Sequence, residues 1–324
     1  MDSPAELAVA MDWGGTWARA AVVDRQGAVL WQSRRPNPIG ADRAALLAVG
    51  LGLLRQAVAW CGPRPIAGIG IAIAGPVEAD TGVMHGSPHL APLNGISLKA
   101  LWELELGRPV RVGNDANLAA LGEFHHGAGR AGAFQQAPPR TLFYLTVSTG
   151  IGGGLVHRGE VYLGAHGLAS EAGHMVIDWR PDAPACFCGG RGCLEALASG
   201  PSIARRAREA LGTGRPSRLR EIRDVTAADV VRLVQEGDAV AADVWNATVG
   251  YLGLGVAAVI TILAPERVVI GGGVARAGDP LFEPLRREVR RRVKLVAVES
   301  VPILPAALGR DVGILGAAAV ALEA

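Results

Sequence analysis

Cys186, Cys188 and Cys193 fall in one short stretch, Cys186-Phe187-Cys188-Gly189-Gly190-Arg191-Gly192-Cys193, and His174 lies twelve positions before it. Three thiolates and one imidazole make a closed tetrahedral set, the ligand count of a structural zinc ion. The intervening glycines let a short chain wrap closely around a cation. Disulfides would take thiols in pairs, whereas this cluster is odd and Met1-Asp2-Ser3-Pro4 does not open like a secretory signal. Cys61, before Gly62-Pro63, reads as a lone buried thiol.

Two glycine- and threonine-rich turns offer a second chemistry. Asp12-Trp13-Gly14-Gly15-Thr16 closes one short apolar run, and Ser148-Thr149-Gly150-Ile151-Gly152-Gly153-Gly154 closes another. Glycines allow backbone N–H groups to approach phosphate oxygens, and the hydroxyls of Thr16 and Thr149 add donors. A carboxylate at Asp12 suits Mg²⁺ held beside such phosphates. Either turn alone could close an ordinary hairpin. Their recurrence after similar strands favours phosphate binding over that reading.

Other nucleotide motifs are absent from the sequence. Its two lysines, Lys99 and Lys294, do not follow a glycine, so there is no Walker-type loop. Gly68-x-Gly70 and Gly271-x-Gly273 meet Ile73 and Arg276 where a dinucleotide fingerprint needs glycine. Phosphate chemistry would therefore rest on backbone amides and Mg²⁺. The run Gly271-Gly272-Gly273 follows a strand and could pack beside a nucleoside.

Gly113-Asn114-Asp115-Ala116-Asn117 lies between a strand and a helix. Asp115 could cap that helix. It could equally accept a hydroxyl proton as the hydroxyl attacks a phosphoryl group, since α/β ligands gather at the carboxyl ends of strands. Spacing alone leaves both readings open. Glu171, in Glu171-Ala172-Gly173-His174, and Glu195, two residues after Cys193, flank the metal loop. Carboxylates held that way suit the vicinal hydroxyls of a sugar, although exposed glutamates are common on any surface.

The elements that must position these groups alternate along the chain. Apolar runs at 7–11, 18–23 and 28–33 read as a β-meander, 41–60 as a helix and 66–74 as a buried strand. Helices at 98–106 and 116–124 bracket a strand at 109–112. A strand at 141–147, the second glycine turn and a strand at 155–157 then repeat the opening pattern. This weak duplication predicts two related α/β halves. The remainder reads as helices at 201–211, 227–235, 239–263, 280–293 and 312–322, with a strand at Val268. Exposed loops are expected at 127–140 and 212–220.

Composition bounds the classes. The chain has 324 residues, half of them hydrophobic, enough for two domains with a core in each. Its 32 basic and 30 acidic residues leave a net charge of +2, which argues against a dedicated nucleic-acid or membrane-surface binder. The uncharged run 244–265 contains Trp245, Asn246, Thr248 and Thr261 with several glycines, and reads as a buried helix rather than a membrane span. A cytoplasmic location is expected.

These motifs together resemble the ROK group of bacterial sugar kinases in the actin/hexokinase superfamily, most closely its glucokinases. The resemblance covers nearly the whole chain. Asp12-x-Gly14-Gly15-Thr16, Gly70-Ile71-Ala72-Ile73-Ala74-Gly75-Pro76, Asn114-Asp115-Ala116-Asn117, Thr146 to Gly154, Glu171-x-Gly173-His174, Cys186-x-Cys188-Gly189-x-x-Gly192-Cys193-x-Glu195 and Gly271-Gly272-Gly273 carry it. It implies an α/β fold of two actin-like (ribonuclease H-like) lobes with a cleft between them, plus a zinc loop at 174–193. The lobes are expected at 1–125 and 126–324, with the helix at about 312–323 packing back on the first. ATP would lie against Gly14, Gly15, Thr16, Thr149, Gly150, Gly152 and Gly271 to Gly273, with Mg²⁺ near Asp12. Asp115 would be the general base on a primary hydroxyl. Gly75, Asn114, Glu171, His174 and Glu195 would hold the rest of the sugar, and His174 would bind zinc through its other nitrogen. A homodimer or homotetramer is the implied assembly.

The chain departs from the family pattern at Ser87-Pro88-His89-Leu90, where Pro-Asn-Leu is usual, and at Leu93, where tryptophan is frequent. The expected activity is an ATP-dependent hexose kinase acting on the 6-hydroxyl, with glucose the leading acceptor. N-Acetylmannosamine, N-acetylglucosamine, fructose or mannose are the alternatives, and ADP or polyphosphate are other candidate donors. A sugar-responsive ROK regulator is the rival of a different class. It would carry an N-terminal helix-turn-helix, for which a first strand starting near Leu7 is expected to leave no room.

Overall fold

The computed structural model describes residues 6–87, 89–130 and 137–323. Part of the loop expected at 127–140, and Pro88 of the departing segment, lie outside these residues. The chain runs β1 (Leu7–Trp13), β2 (Trp17–Val23), β3 (Val29–Pro36), α1 (Arg43–Cys61), β4 (Ile66–Ile73), β5 (Val77–Glu78), β6 (Val83–Met84), α2 (Leu98–Leu106), β7 (Val110–Asn114) and α3 (Asp115–His126). It continues through β8 (Thr141–Val147), β9 (Ile151–His157), β10 (Glu160–Val161), α4 (Leu194–Ala198), α5 (Gly200–Leu211), α6 (Ala227–Gln235), α7 (Ala239–Leu263), β11 (Arg267–Gly271), α8 (Asp279–Arg292), β12 (Ile303–Pro305) and α9 (Val312–Leu322).

Two five-stranded sheets carry the same plan. The first has the order β3-β2-β1-β4-β7 and the second β10-β9-β8-β11-β12. In each, a meander supplies three strands and two parallel strands complete the far side. The glycine turns join the equivalent pairs β1–β2 and β8–β9. The second turn is shorter than the sequence suggested, because β9 begins at Ile151 and takes Gly152, Gly153 and Gly154 into the strand.

The chain divides into two compact units, residues 1–140, 154–170 and 307–324, and residues 141–153 and 171–306. No one cut near residue 125 produces this division, because 126–140, 154–170 and the C-terminal residues group with the N-terminal ones. In the first unit α1 and α2 cover one sheet face. Met11, Trp13, Leu53, Leu54, Ile69, Ile71, Ile73 and Trp102 form the core there, with Trp13 and Trp102 stacked at 5.5 Å between centroids. Asp42 starts α1 by accepting the Ala45 N–H at 2.8 Å.

β4 shows how alternation places α9. Ile69, Ile71 and Ile73 share one face, whereas Gly68, Gly70 and Ala72 share the other. A Cβ on Gly70 would overlap the carbonyl oxygen of Ala317, so α9 lies with its backbone against the sheet. α3 meets α9 just as closely, since a Cβ on Gly316 would overlap the Leu118 carbonyl oxygen and one on Gly122 would come 2.8 Å from the Val312 carbonyl oxygen. On another side of α3, a Cβ on Gly154 would lie 2.7 Å from the Ala116 carbonyl oxygen.

In the second unit α7 packs against α4, α5, α6 and α8. Asp238 caps α7 through the Ala241 N–H at 2.9 Å, and Thr226 and Asp229 form a capping box on α6. By length and composition alone, α1 and α7 could each cross a membrane, but 33% and 50% of their most apolar windows are buried within the protein. A third to a half of each window thus already has protein neighbours, as for helices packed in a core.

Glycine substitutions separate contact from propensity. Gly316→Ala is expected to lower stability by about 2 kcal/mol or more, because the new methyl meets backbone. Gly250→Ala, in α7 with nothing within 4 Å of the added methyl, is expected to raise it by about 0.5–1 kcal/mol. Urea midpoints of the two variants check the opposite signs.

Candidate functional site

In the first sheet the carboxyl ends of three parallel strands share one edge. Asp12 pairs in register with Ala72 and Ile73 with Asn114, so the groups singled out on β1, β4 and β7 lie side by side. The Gly14 N–H closes the first turn on the Trp17 carbonyl at 3.0 Å. Asn37, which the sequence reading missed, holds this turn from behind. Its amide donates to the Gly14 and Gly15 carbonyls at 2.8 and 2.9 Å and accepts the Trp13 indole N–H at 3.0 Å. With the carbonyls engaged there, the Gly15 and Thr16 N–H groups have no acceptor among the described residues, and both residues are exposed. Adjacent unpaired amides of this kind form a nest for an anion.

Asp12 is half-buried and touches the Arg19 guanidinium at 3.4 Å, while Arg19 also binds Asp311 at 2.7 Å. Burial raises the Asp12 pKa above the usual carboxylate value, and Arg19 pulls in the opposite direction. His89 stacks over the turn, so that a Cβ on Gly15 would come 2.7 Å from the His89 Cβ. Gly15, Thr16, Asn37 and His89 contribute to the lining of a cavity of about 430 Å³ in this unit. The departing segment is thus adjacent to the first turn, while Leu93 is buried.

Asn114, not Asp115, caps α3: its Oδ1 accepts the Ala116 and Asn117 N–H groups at 2.9 and 3.1 Å. Its Nδ2 donates to the Gly75 carbonyl at 3.1 Å. Asp115 is the first residue of the helix and half-buried, with Oδ1 accepting the Ala116 N–H at 2.8 Å. Gly75 has φ +132°, and Ser87 packs where its side chain would be. Ser87 Oγ donates to the Ala74 carbonyl at 2.7 Å, which ties the strand end to the His89 segment.

In the second unit His174, Cys186, Cys188 and Cys193 offer ligand atoms that all lie within 4.8 Å of one another. A tetrahedral zinc with bonds of about 2.3 Å to sulfur and about 2.0 Å to nitrogen has S···S edges of about 3.8 Å and S···N edges of about 3.5 Å. Cys188 and Cys193 are 3.8 Å apart, and Cys186 Sγ lies 3.6 Å from His174 Nδ1. The residues therefore fit the ion, and Nδ1 is the histidine nitrogen that faces the thiols. Burial pushes the Cys193 thiol up to about 12, whereas the Gly190 backbone N–H lowers Cys188.

Glu171 and Glu195 border this cluster. Burial raises the Glu171 pKa, opposed by His174 and reinforced by the Glu195 charge, so the two carboxylates are within electrostatic reach of each other. Glu195 Oε2 accepts the Ile151 N–H at 2.7 Å, at the exit of the second glycine turn. Thr149 and Gly150 have backbone N–H groups with no acceptor among the described residues. Gly271 pairs with Thr146 in the sheet, and Gly272, at φ +87°, packs against Val147. The second turn and the 271–273 run are thereby brought together, while Gly152 belongs to β9.

The ROK family profile matches residues 8–324, and the chain belongs to this family. It is 36% identical to a glucokinase of Halalkalibacterium halodurans over 77% of this chain and 74% of that one. It is 29% identical to a putative xylose repressor of Caldicellulosiruptor over 98% of this chain and 78% of that protein. Among solved structures it resembles a ROK hexokinase from Thermus thermophilus at 34% identity and TM-score 0.79, with 97% of each chain covered. A ROK glucokinase from Streptomyces griseus, in complex with glucose and AMPPNP, matches at 28% identity and TM-score 0.75, over 98% of this chain and 100% of that one.

Cys188→Ser removes one of four ligand atoms and is expected to lower bound zinc well below one ion per chain. Metal analysis of the purified variant checks it, and a full complement would exclude Cys188 from the set.

Proposed function

We propose that the protein is an ATP-dependent hexose kinase that phosphorylates the 6-hydroxyl, with glucose the leading acceptor. The observation that carries this reading is the matched pair of glycine turns. Each presents N–H groups without an acceptor among the described residues, at an equivalent position of two sheets with one strand order. The ROK relatives named glucokinase and the AMPPNP and glucose complex support it.

In this reading Gly14, Gly15 and Thr16, with Thr149, Gly150 and Gly271 to Gly273, receive the nucleotide. Mg²⁺ held near Asp12 would neutralise phosphate charge. Gly75, Asn114, Glu171, His174 and Glu195 orient the sugar, and a zinc ion on His174, Cys186, Cys188 and Cys193 would fix the His174 ring. Asp115 accepts the proton of the 6-hydroxyl as that oxygen bonds to the γ-phosphorus. The bond from phosphorus to the β,γ-bridging oxygen breaks, and ADP leaves with the electron pair. Asn114 accepts two helix N–H groups and Asp115 one, so the start of α3 does not rest on Asp115 alone. The same reading implies a cytoplasmic location, where ATP is abundant.

The purified protein with ATP and a panel of hexoses and N-acetylhexosamines, assayed for ADP release, tests the proposal. No release with any sugar, together with sugar binding, would favour the regulator that the repressor relative suggests. Asp115→Asn is expected to lower kcat by at least about 10²-fold while sugar affinity stays within about tenfold. Near-normal turnover would remove Asp115 from its role. His89→Asn is expected to change the ranking of competing sugars by kcat/KM, because the His89 segment is tied through Ser87 to the strand end at Gly75, which is assigned to the sugar. An unchanged ranking would exclude it from acceptor choice.

A further inference from the structure

Ile151 stands at the exit of the second glycine turn and is gripped from two directions within its own unit. Its N–H donates to Glu195 Oε2 at 2.7 Å. Its carbonyl oxygen lies so close to Gly173 that a Cβ there would overlap it. Gly173 sits between Glu171 and His174, in the short helical turn closed by the His174 N–H on the Glu171 carbonyl at 3.0 Å. The Glu195 carboxylate also abuts Gly150, where a Cβ would come 2.6 Å from Oε2. One peptide segment of the turn assigned to the nucleotide is therefore braced by the residues assigned to the sugar.

We propose that Glu195 is a positioning residue that couples acceptor binding to the shape of the nucleotide turn through Ile151 and Gly150. The inference rests on the kinase reading above and adds a direction of communication to it. Glu195 lies two residues after Cys193 in the first turn of α4, so its backbone is anchored beside the Cys/His cluster. A hydroxyl drawing on that carboxylate changes its hold on the Ile151 N–H. That changes the presentation of the Thr149 and Gly150 amides. By linkage the effect is reciprocal, so phosphates on those amides alter sugar affinity to the same degree.

The test is a double-substitution cycle read by calorimetry. Gly150 has no left-handed φ, so Gly150→Ala adds a methyl against Oε2 without backbone strain. In nucleotide-free protein this substitution on the donor turn is expected to weaken glucose binding by about fivefold or more. In the Glu195→Ala background, where the methyl has nothing to push, Gly150→Ala should change sugar affinity by less than about twofold. Equal losses in both backgrounds, or no loss in the first, would overturn the coupling. Zinc content of Gly150→Ala should match the parent, which separates a displaced carboxylate from a disordered wall. A second arm does not require sugar at all. Glu195→Ala should weaken AMPPNP binding by about threefold or more in sugar-free protein, because the Ile151 N–H loses a charged acceptor. Unchanged AMPPNP affinity would overturn the proposal even if the parent bound no hexose, an outcome that by itself counts only against the kinase reading.

Discussion

Contact of backbone on backbone around α3 is the constraint on which the first unit depends. Gly122 and Gly316 let α3 and α9 touch without side chains between them, and Gly154 admits α3 against β9. Gly70 lets α9 lie directly on β4. Such contacts leave little freedom for sliding, because a shift of either helix brings a methyl or a carbonyl into overlap. The helix that begins with Asp115 is thus located by steric exclusion, and the strand edge bearing Asp12 and Asn114 is located by the same packing. Small residues here serve precision of placement more than burial of apolar area.

Much of this architecture was readable because periodicity and punctuation agree. The β-meander, the long apolar α7 and the repeated turn followed from apolar spacing and glycine placement, and the strand orders match as a duplication requires. Other features were not readable from one sequence. The cap on α3 depends on which of two adjacent polar residues rotates toward the helix amides, and that choice is set by the Gly75 carbonyl, distant in sequence. Asn37 lies in an ordinary-looking loop, and only folding shows it behind the first turn. Gly152 looked like turn because glycine so often is, yet strand pairing took it into β9. The boundaries of the two units were hidden for a similar reason, since the chain returns to the first unit after leaving it.

The cysteine cluster illustrates the opposite case. Its ligand types could be read directly, and the interatomic spacings meet the edges of a zinc tetrahedron. Its neighbours carry more information than its members. Exposed Phe187 packs edge-on to the His174 ring at 5.3 Å and restricts its rotation, while Gly192, at φ +67°, lets the loop fold back onto Asp178. Ring orientation and loop closure are therefore set by packing as well as by the ligand atoms.

The amide of Asn114 has consequences for what can approach it. Its oxygen is saturated by two helix amides and one of its hydrogens is committed to Gly75. A single hydrogen remains, so this side chain can act on a guest only as a donor, and whatever meets it must offer a lone pair. An aspartate of the same shape would still start the helix. It would forfeit that polarity, however, and set a second negative charge beside Asp115, where the two ionisations would oppose each other.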